Sequence, residues 1–112
     1  MSGATQKTKT VANTFAKRLK VARLRAELSQ KALGIKAGID EFVASSRMNQ
    51  YERSTHLPDY TTAKRLAKAL GVPVAYFYSD NDEEADLLLR FKGLSKVARA
   101  EVLRFLDGFS AE

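Results

Sequence analysis

The sequence predicts an all-α fold, and two observations carry that prediction. Apolar residues recur at the 3.6-residue period of an amphipathic helix, as at Phe15, Leu19 and Ala22. The segments between the periodic stretches are short and hold residues that end helices, such as Gly38 and Gly71. At 112 residues the chain has the size of one domain.

The first two helices can be placed from their ends. Residues 1–10 show no periodicity and are expected to form a flexible arm. The periodic pattern predicts a first helix over residues 13–26. Ser29 is a suitable N-cap for a second helix over residues 30–37, which Gly38 should end.

The third helix has two faces of different character. Ala44, Met48 and Tyr51 share one apolar face at spacings of four and three residues. Asp40 could cap a short extra turn before this helix, or could start the helix itself early; both leave the apolar face inward. The other face carries side chains with hydrogen-bond donors and acceptors, namely Ser45, Ser46, Arg47, Asn49 and Gln50.

The remaining elements are also predicted to be helical. A fourth helix should open at residues 60–61 and end at Gly71. Residues 72–78 are apolar and predict a short fifth helix, because a proline suits the first helical position. Two further helices are expected at residues 82–92, which begin with acids, and at residues 95–109.

Charge and composition restrict the function. The chain has 19 Lys/Arg and 13 Asp/Glu, but residues 1–79 hold 14 of the bases and 5 of the acids, a net +9, whereas residues 80–112 are −3. A basic body favours a polyanionic partner. There is no cysteine and the only histidine is His56, so no metal site, cofactor or catalytic centre is expected. No apolar run is long enough for a membrane span, and the expected location is the cytoplasm.

An ordered set of short motifs carries a family resemblance. The residues are Arg18-Leu19-Lys20, Arg23, Leu28-Ser29-Gln30, Leu33, Gly34, Gly38-Ile39, Tyr51-Glu52-Arg53, Pro58 and Leu66-Ala67-Lys68-Ala69-Leu70 followed by Val72. In spacing and order they resemble the helix-turn-helix domain of the Xre family, which includes the lambda-type repressors and Cro proteins. The resemblance implies a lambda repressor-like five-helix DNA-binding domain, followed here by one or two C-terminal helices.

The chain departs from the family pattern in three places. From Gly38 to Glu52 the numbering advances by 14, whereas the family pattern has about ten, which indicates an insertion of about four residues at 39–43. Ser54 stands where the family usually has a left-handed glycine, so some backbone strain is expected there. Gly34 stands where the family usually has alanine, at the close crossing of helices 2 and 3.

The resemblance also implies which residues would contact DNA. It places base-reading positions at Ser45, Ser46 and Gln50, with Arg47 and Asn49 beside them. Gln50 could pair with adenine and Arg47 with guanine. The expected phosphate contacts are Arg18, Ser29, Gln30, Lys31 and Arg53.

The last helix predicts an interface between two copies of the chain. Its apolar stripe is wider than a small domain needs, and consists of Val102, Phe105, Leu106 and Phe109. The alternative is that the helix folds back over Leu87, Leu88 and Phe91. The chain is therefore divided into residues 1–10 (arm), residues 11–79 (DNA-binding domain) and residues 80–112 (dimerisation segment).

These expectations define two functions. The first is a sequence-specific regulator of transcription from a bacterium or phage, expected to be a repressor, which binds a palindromic site in double-stranded DNA as a homodimer. The second is an antitoxin whose C-terminal helices bind a protein toxin and which represses its own operon. The acidic residues at 80–86 would suit a basic protein partner.

Overall fold

This computed structural model describes the backbone of residues 2–109 and the side chains of residues 10–109. In that part the protein consists of helices joined by short loops. Within that part the backbone forms six α-helices and one short 3₁₀ helix, and it contains no strand. The α-helices are α1 (Ser2–Arg25), α2 (Gln30–Lys36), α3 (Glu41–Glu52), α4 (Tyr60–Leu70), α5 (Asp82–Lys92) and α6 (Lys96–Leu106), and the 3₁₀ helix spans Val74–Tyr78. The predicted all-α fold is confirmed.

The first helix is longer than the sequence predicts. α1 begins at Ser2, not near Asn13, so the segment expected to be a flexible arm is helical from residue 2. The prediction rested on the lack of an apolar period, but a polar stretch can continue a helix that is already anchored. No proline interrupts residues 4–12, and adding residues to an existing helix is far easier than starting one.

Most helix starts follow the predicted local chemistry. Side-chain oxygens accept hydrogen bonds from backbone N–H groups at the starts of α2 to α6, and the capping residues are Ser29, Asp40, Asp59, Asn81 and Ser95. Asp40 caps α3 itself, which settles the alternative left open by the sequence: residues 41–43 of the inserted segment form the first turn of the third helix. α6 ends at Leu106 rather than Phe109, because the chain tightens into bonds between residues three apart, such as Phe109 N to Leu106 O at 3.1 Å.

One core joins the first four helices to the 3₁₀ helix. Its largest fully buried side chains are Phe15, Leu19, Leu33, Met48, Leu66 and Phe77. The rings of Phe15 and Phe77 pack with centroids 4.7 Å apart, which fixes the 3₁₀ helix against α1. This core holds the pair of α2 and α3 on a rigid support.

The C-terminal helices are attached to this core in sequence. α5 contributes the buried Ala85 and is tied to α1 by Arg18, whose guanidinium donates to Ser79 O at 2.8 Å and to Asp82 Oδ1 at 3.0 Å. Arg99 then joins α6 to α5 by donating to the carbonyls of Phe91 and Lys92, at 3.1 and 2.6 Å. In contrast, α6 buries none of its own residues.

Candidate nucleic-acid interface

The turn between α2 and α3 brings the two helices into unusually close contact. The carbonyls of Gly34 and Ile35 accept from Ile39 N and Gly38 N, both at 2.9 Å, and Gly38 has a φ of 89°. This Schellman arrangement ends α2 and requires a left-handed residue at Gly38. A Cβ added at Gly34 would lie only 2.9 Å from the Cβ of Ala44, so the predicted role of Gly34 at the helix crossing is confirmed.

A buried ion pair holds the far end of α3. Arg23 donates from Nε to Glu52 Oε2 at 2.6 Å and from Nη2 to Oε1 at 2.9 Å, and the two side chains are only 11% and 4% exposed. The hydrogen bond from Arg23 to this carboxylate raises the pKa of the guanidinium. Arg23 also donates to Leu28 O, while Gln30 donates to Glu52 Oε1 at 3.2 Å. The end of α1, the start of α2 and the end of α3 are thereby fixed together.

Sequence reasoning named these residues but missed the network. Arg23 and Glu52 were recognised only as parts of motifs, and Gln30 only as a phosphate contact. The hydrogen bond from Gln30 to Glu52 connects the start of α2 to the end of α3. An isolated arginine and an isolated glutamate in the sequence do not reveal that they are partners, because the pairing joins residues 29 positions apart.

α3 presents the predicted polar face to solvent. Ala44, Met48 and Tyr51 are buried, as predicted. The five candidate base-reading residues lie away from them: Ser45, Ser46, Arg47 and Gln50 are exposed, and Asn49 is half-buried. Of these side chains, only Ser46 has a hydrogen bond to another group in the described region, a long one to Val43 O at 3.4 Å. Their donors and acceptors are therefore available to a ligand.

An open cleft borders this face at the C-terminal half of α3. It has a volume of about 410 Å³, and its lining includes Arg47, Gln50, His56 and Thr62. The cleft places the loop after α3 beside the candidate base-reading side chains. Among the described residues, no cluster of three or more His, Asp or Glu side chains could hold a metal ion here or elsewhere.

Four of the five candidate phosphate contacts lie near α2 and α3. Lys31 and Arg53 are exposed, Ser29 is exposed with its hydroxyl capping α2, and Gln30 is half-buried in the network with Glu52.

The fifth, Arg18, is a correction. It is 7% exposed and paired with Asp82, and its guanidinium lies 5.7 Å from the centre of the Tyr76 ring. Its guanidinium is paired within the protein, which argues against the predicted phosphate contact at Arg18.

The C-terminal candidates lie on an exposed apolar surface. Phe105, Leu106 and Phe109 are 69%, 51% and 63% exposed, whereas Val102 is half-buried. The rings of Phe105 and Phe109 stack edge to face with centroids 5.2 Å apart. α6 does not fold back to bury this stripe, which was the alternative arrangement. None of the helices described is both long and apolar enough to cross a membrane.

Two helices joined by a tight turn, with the second one exposing a polar face, define a helix-turn-helix protein. The helix-turn-helix domain family matches residues 14–76, more than half of the chain. The chain therefore belongs to the helix-turn-helix family of transcriptional regulators, and the Xre-type resemblance agrees with this.

Two individual proteins are similar over most of their length. The cryptic phage CTXphi transcriptional repressor RstR of Vibrio cholerae is 32% identical over 80 residues, which make up 70% of this chain and 67% of RstR. The crystal structure of transcriptional regulator BswR is 48% identical and superposes with a TM-score of 0.79, covering 84% of this chain and 93% of BswR. Both relatives are regulators of transcription.

Proposed function

We propose that this chain is a repressor that reads a palindromic operator as a homodimer, with α3 in the major groove. The observation that carries the proposal is the outer face of α3, whose polar side chains have almost no partners within the protein. Water solvates such a face in the free protein, and the edges of base pairs in the major groove supply donors and acceptors that match it. RstR, which is similar over 80 residues, is a repressor, and this supports repression as the outcome of binding.

The side chains of α3 suit direct recognition of bases. Gln50 can form a bidentate pair with adenine and Arg47 with guanine, and each such pair discriminates by about 1–3 kcal/mol. Ser45, Ser46 and Asn49 lie beside them and supply shorter hydrogen-bonding groups. The buried Arg23–Glu52 pair holds α3 in place, so the helix that carries these groups does not have to be ordered when DNA binds.

Phosphate contacts would set the register of the domain on DNA. Lys31 and Arg53 are exposed cations near the two ends of the motif, and Ser29 and Gln30 lie at the start of α2. Contacts of this kind supply affinity that depends on salt but carry little sequence information. The net charge of +9 over residues 1–79 also supports binding to phosphates. This count includes Arg18, whose charge is paired with that of Asp82.

The exposed stripe of α6 supports pairing with a second copy of the chain. A helix that leaves Phe105, Leu106 and Phe109 in water gains stability when these side chains are covered. A two-fold pairing covers the same stripe on both chains at once and presents two α3 helices to two half-sites, about one turn of DNA apart. Val102 lies at the edge of the stripe and would complete the contact.

Selection of bound sequences from a random pool of double-stranded DNA tests the proposal. The expected result is an inverted repeat whose half-sites contain the bases read by Arg47 and Gln50. Repeating the selection with Arg47→Ala and with Gln50→Ala should relax the choice of base at one position per half-site, whereas Lys31→Ala should weaken binding to all sequences alike. Failure to enrich any sequence would contradict the proposed function.

The antitoxin function remains a separate alternative, because the stripe of α6 could also cover a different protein. The acidic residues that suggested a basic partner are partly engaged within the chain: Asp82 with Arg18 and Lys17, and Asp86 with Arg90. Light scattering of the purified full chain tests whether a second copy of the chain covers the stripe. Twice the mass of one chain supports the homodimer, and a monomer with Phe105 and Leu106 accessible would favour a different partner.

A further inference from the structure

The first turn of α3 carries an apolar side chain that the proposed contacts do not use. Phe42 is 91% exposed, the highest value among the large apolar side chains in the described region. It belongs to the segment in which the chain is longer than the Xre pattern, and it lies in the part of that segment that forms the first turn of α3. Phe42 is thus a large apolar side chain on the solvent side of α3, where Val43 beside it is 37% exposed.

Phe42 shares the outer face of α3 with the candidate base-reading residues. Ser46 and Asn49 follow it by four and seven residues, so in an α-helix the three lie along one line. Ala44 and Met48, which are buried, lie on the opposite side. The ring therefore extends the recognition face by one turn toward the N-terminus of α3, the end that helix-turn-helix proteins point at base edges.

The backbone beneath Phe42 is fixed. Asp40 Oδ1 accepts a hydrogen bond from Phe42 N at 2.8 Å, and Asp40 O accepts one from Val43 N at 3.1 Å. The close crossing at Gly34 anchors the next turn through Ala44. The carboxylate of Asp40 is thereby engaged as a cap, and the positive end of the helix dipole offsets its charge near DNA.

We propose that the ring of Phe42 contacts the 5-methyl group of a thymine in the major groove. This methyl is the apolar feature that base edges present there, and phenylalanine is one of the side chains that contact it. The inference rests on the proposed function, because it assumes that α3 enters the major groove. It adds one recognised base to each half-site, and the added recognition depends on shape and apolar contact rather than on hydrogen bonds.

The test removes only the methyl group from the DNA. A selected operator is resynthesised with deoxyuridine in place of each thymine in turn, in both half-sites, and the affinity of the full chain is measured by fluorescence anisotropy at fixed salt. At one thymine per half-site, the substitution should lower the affinity of the unmodified protein for the operator by about fourfold for each methyl group contacted. Phe42→Ala should bind the thymine operator more weakly and should lose the preference for thymine over uracil at that position.

Leu24→Ala is the matched control, because it removes an exposed apolar side chain, 56% exposed, from α1. It should keep the preference of the unmodified protein for thymine. If Phe42→Ala retains that preference, or if the unmodified protein has none at any position, the inference is overturned while sequence-specific binding stands. If no sequence is selected at all, the proposed function fails first, so the two failures are distinguishable.

Discussion

The buried pair of Arg23 and Glu52 permits a quantitative prediction. In Glu52→Gln the side chain keeps its size but loses its charge, and one of its two oxygens becomes an NH₂ group that faces donors of Arg23 and Gln30. The Arg23 guanidinium then stays buried without an anion. Breaking a buried pair in this way costs about 3–5 kcal/mol.

The expected loss can be converted to a melting temperature. With an unfolding entropy of about 2.1 cal/mol/K per residue, a loss of about 3–5 kcal/mol lowers the Tm of a 112-residue chain by about 13–21 °C. Thermal unfolding followed by circular dichroism at 222 nm measures the shift. The matched control is Asp86→Asn, which breaks an ion pair with Arg90 whose side chains are 57% and 78% exposed, and should change stability by no more than about 0.5 kcal/mol.

A second variant distinguishes the orphaned charge from a general loss of packing. Replacing Arg23 by methionine in the Glu52→Gln background removes the unpaired cation, so the double variant should be more stable than Glu52→Gln alone. The reasoning would be refuted if Glu52→Gln melted within about 2 °C of the unmodified protein. It would also be refuted if the double variant lost the sum of the two single effects, because the two side chains would then act independently.

Two further predictions concern backbone strain and pH. Ser54 has a φ of 65° at the end of α3, so Ser54→Gly should remove left-handed strain and raise stability by up to about 1 kcal/mol, measured by urea unfolding; an unchanged midpoint would contradict this. The hydrogen bond from Arg18, followed by the charge of Lys17, lowers the pKa of Asp82. A carboxylate whose pKa is lower in the folded state than in the unfolded state stabilises the protein. This contribution is fully present at pH values above the ordinary aspartate pKa of about 3.9, and it is lost as the pH falls through the folded-state pKa. Asp82→Asn should therefore have a lower Tm than the unmodified protein at pH 7, and the difference in Tm should become smaller as the pH is lowered toward 2. A difference in Tm that does not depend on pH would exclude this linkage.

The sequence predicted best what depends on neighbouring residues. The caps at Ser29 and the helix ends at Gly38 and Gly71 are local events, and the structure confirms them. The early start of α3 at Asp40 was left open for a physical reason: both alternatives bury the same apolar face, so the periodic pattern could not choose between them.

Interactions between distant residues were not predictable in the same way. Arg18 was expected to contact phosphate, but its partner Asp82 is 64 positions away in the sequence and reaches it only when α5 packs beside α1. Whether the candidate residues contact bases and phosphates depends on a DNA partner, so that part of the site stays a prediction.

The attachment of the C-terminal helices has a geometric consequence for any DNA that the protein reads. Arg18 links α5 to α1, and Arg99 links α6 to α5, so these hydrogen bonds orient α6 relative to α3 within each chain. A dimer formed through α6 would then hold its two α3 helices at one distance and one relative orientation. One base pair added between the half-sites rotates one of them by about 34° around the duplex. Such a dimer would bind the altered operator more weakly, even though every base that it reads is still present.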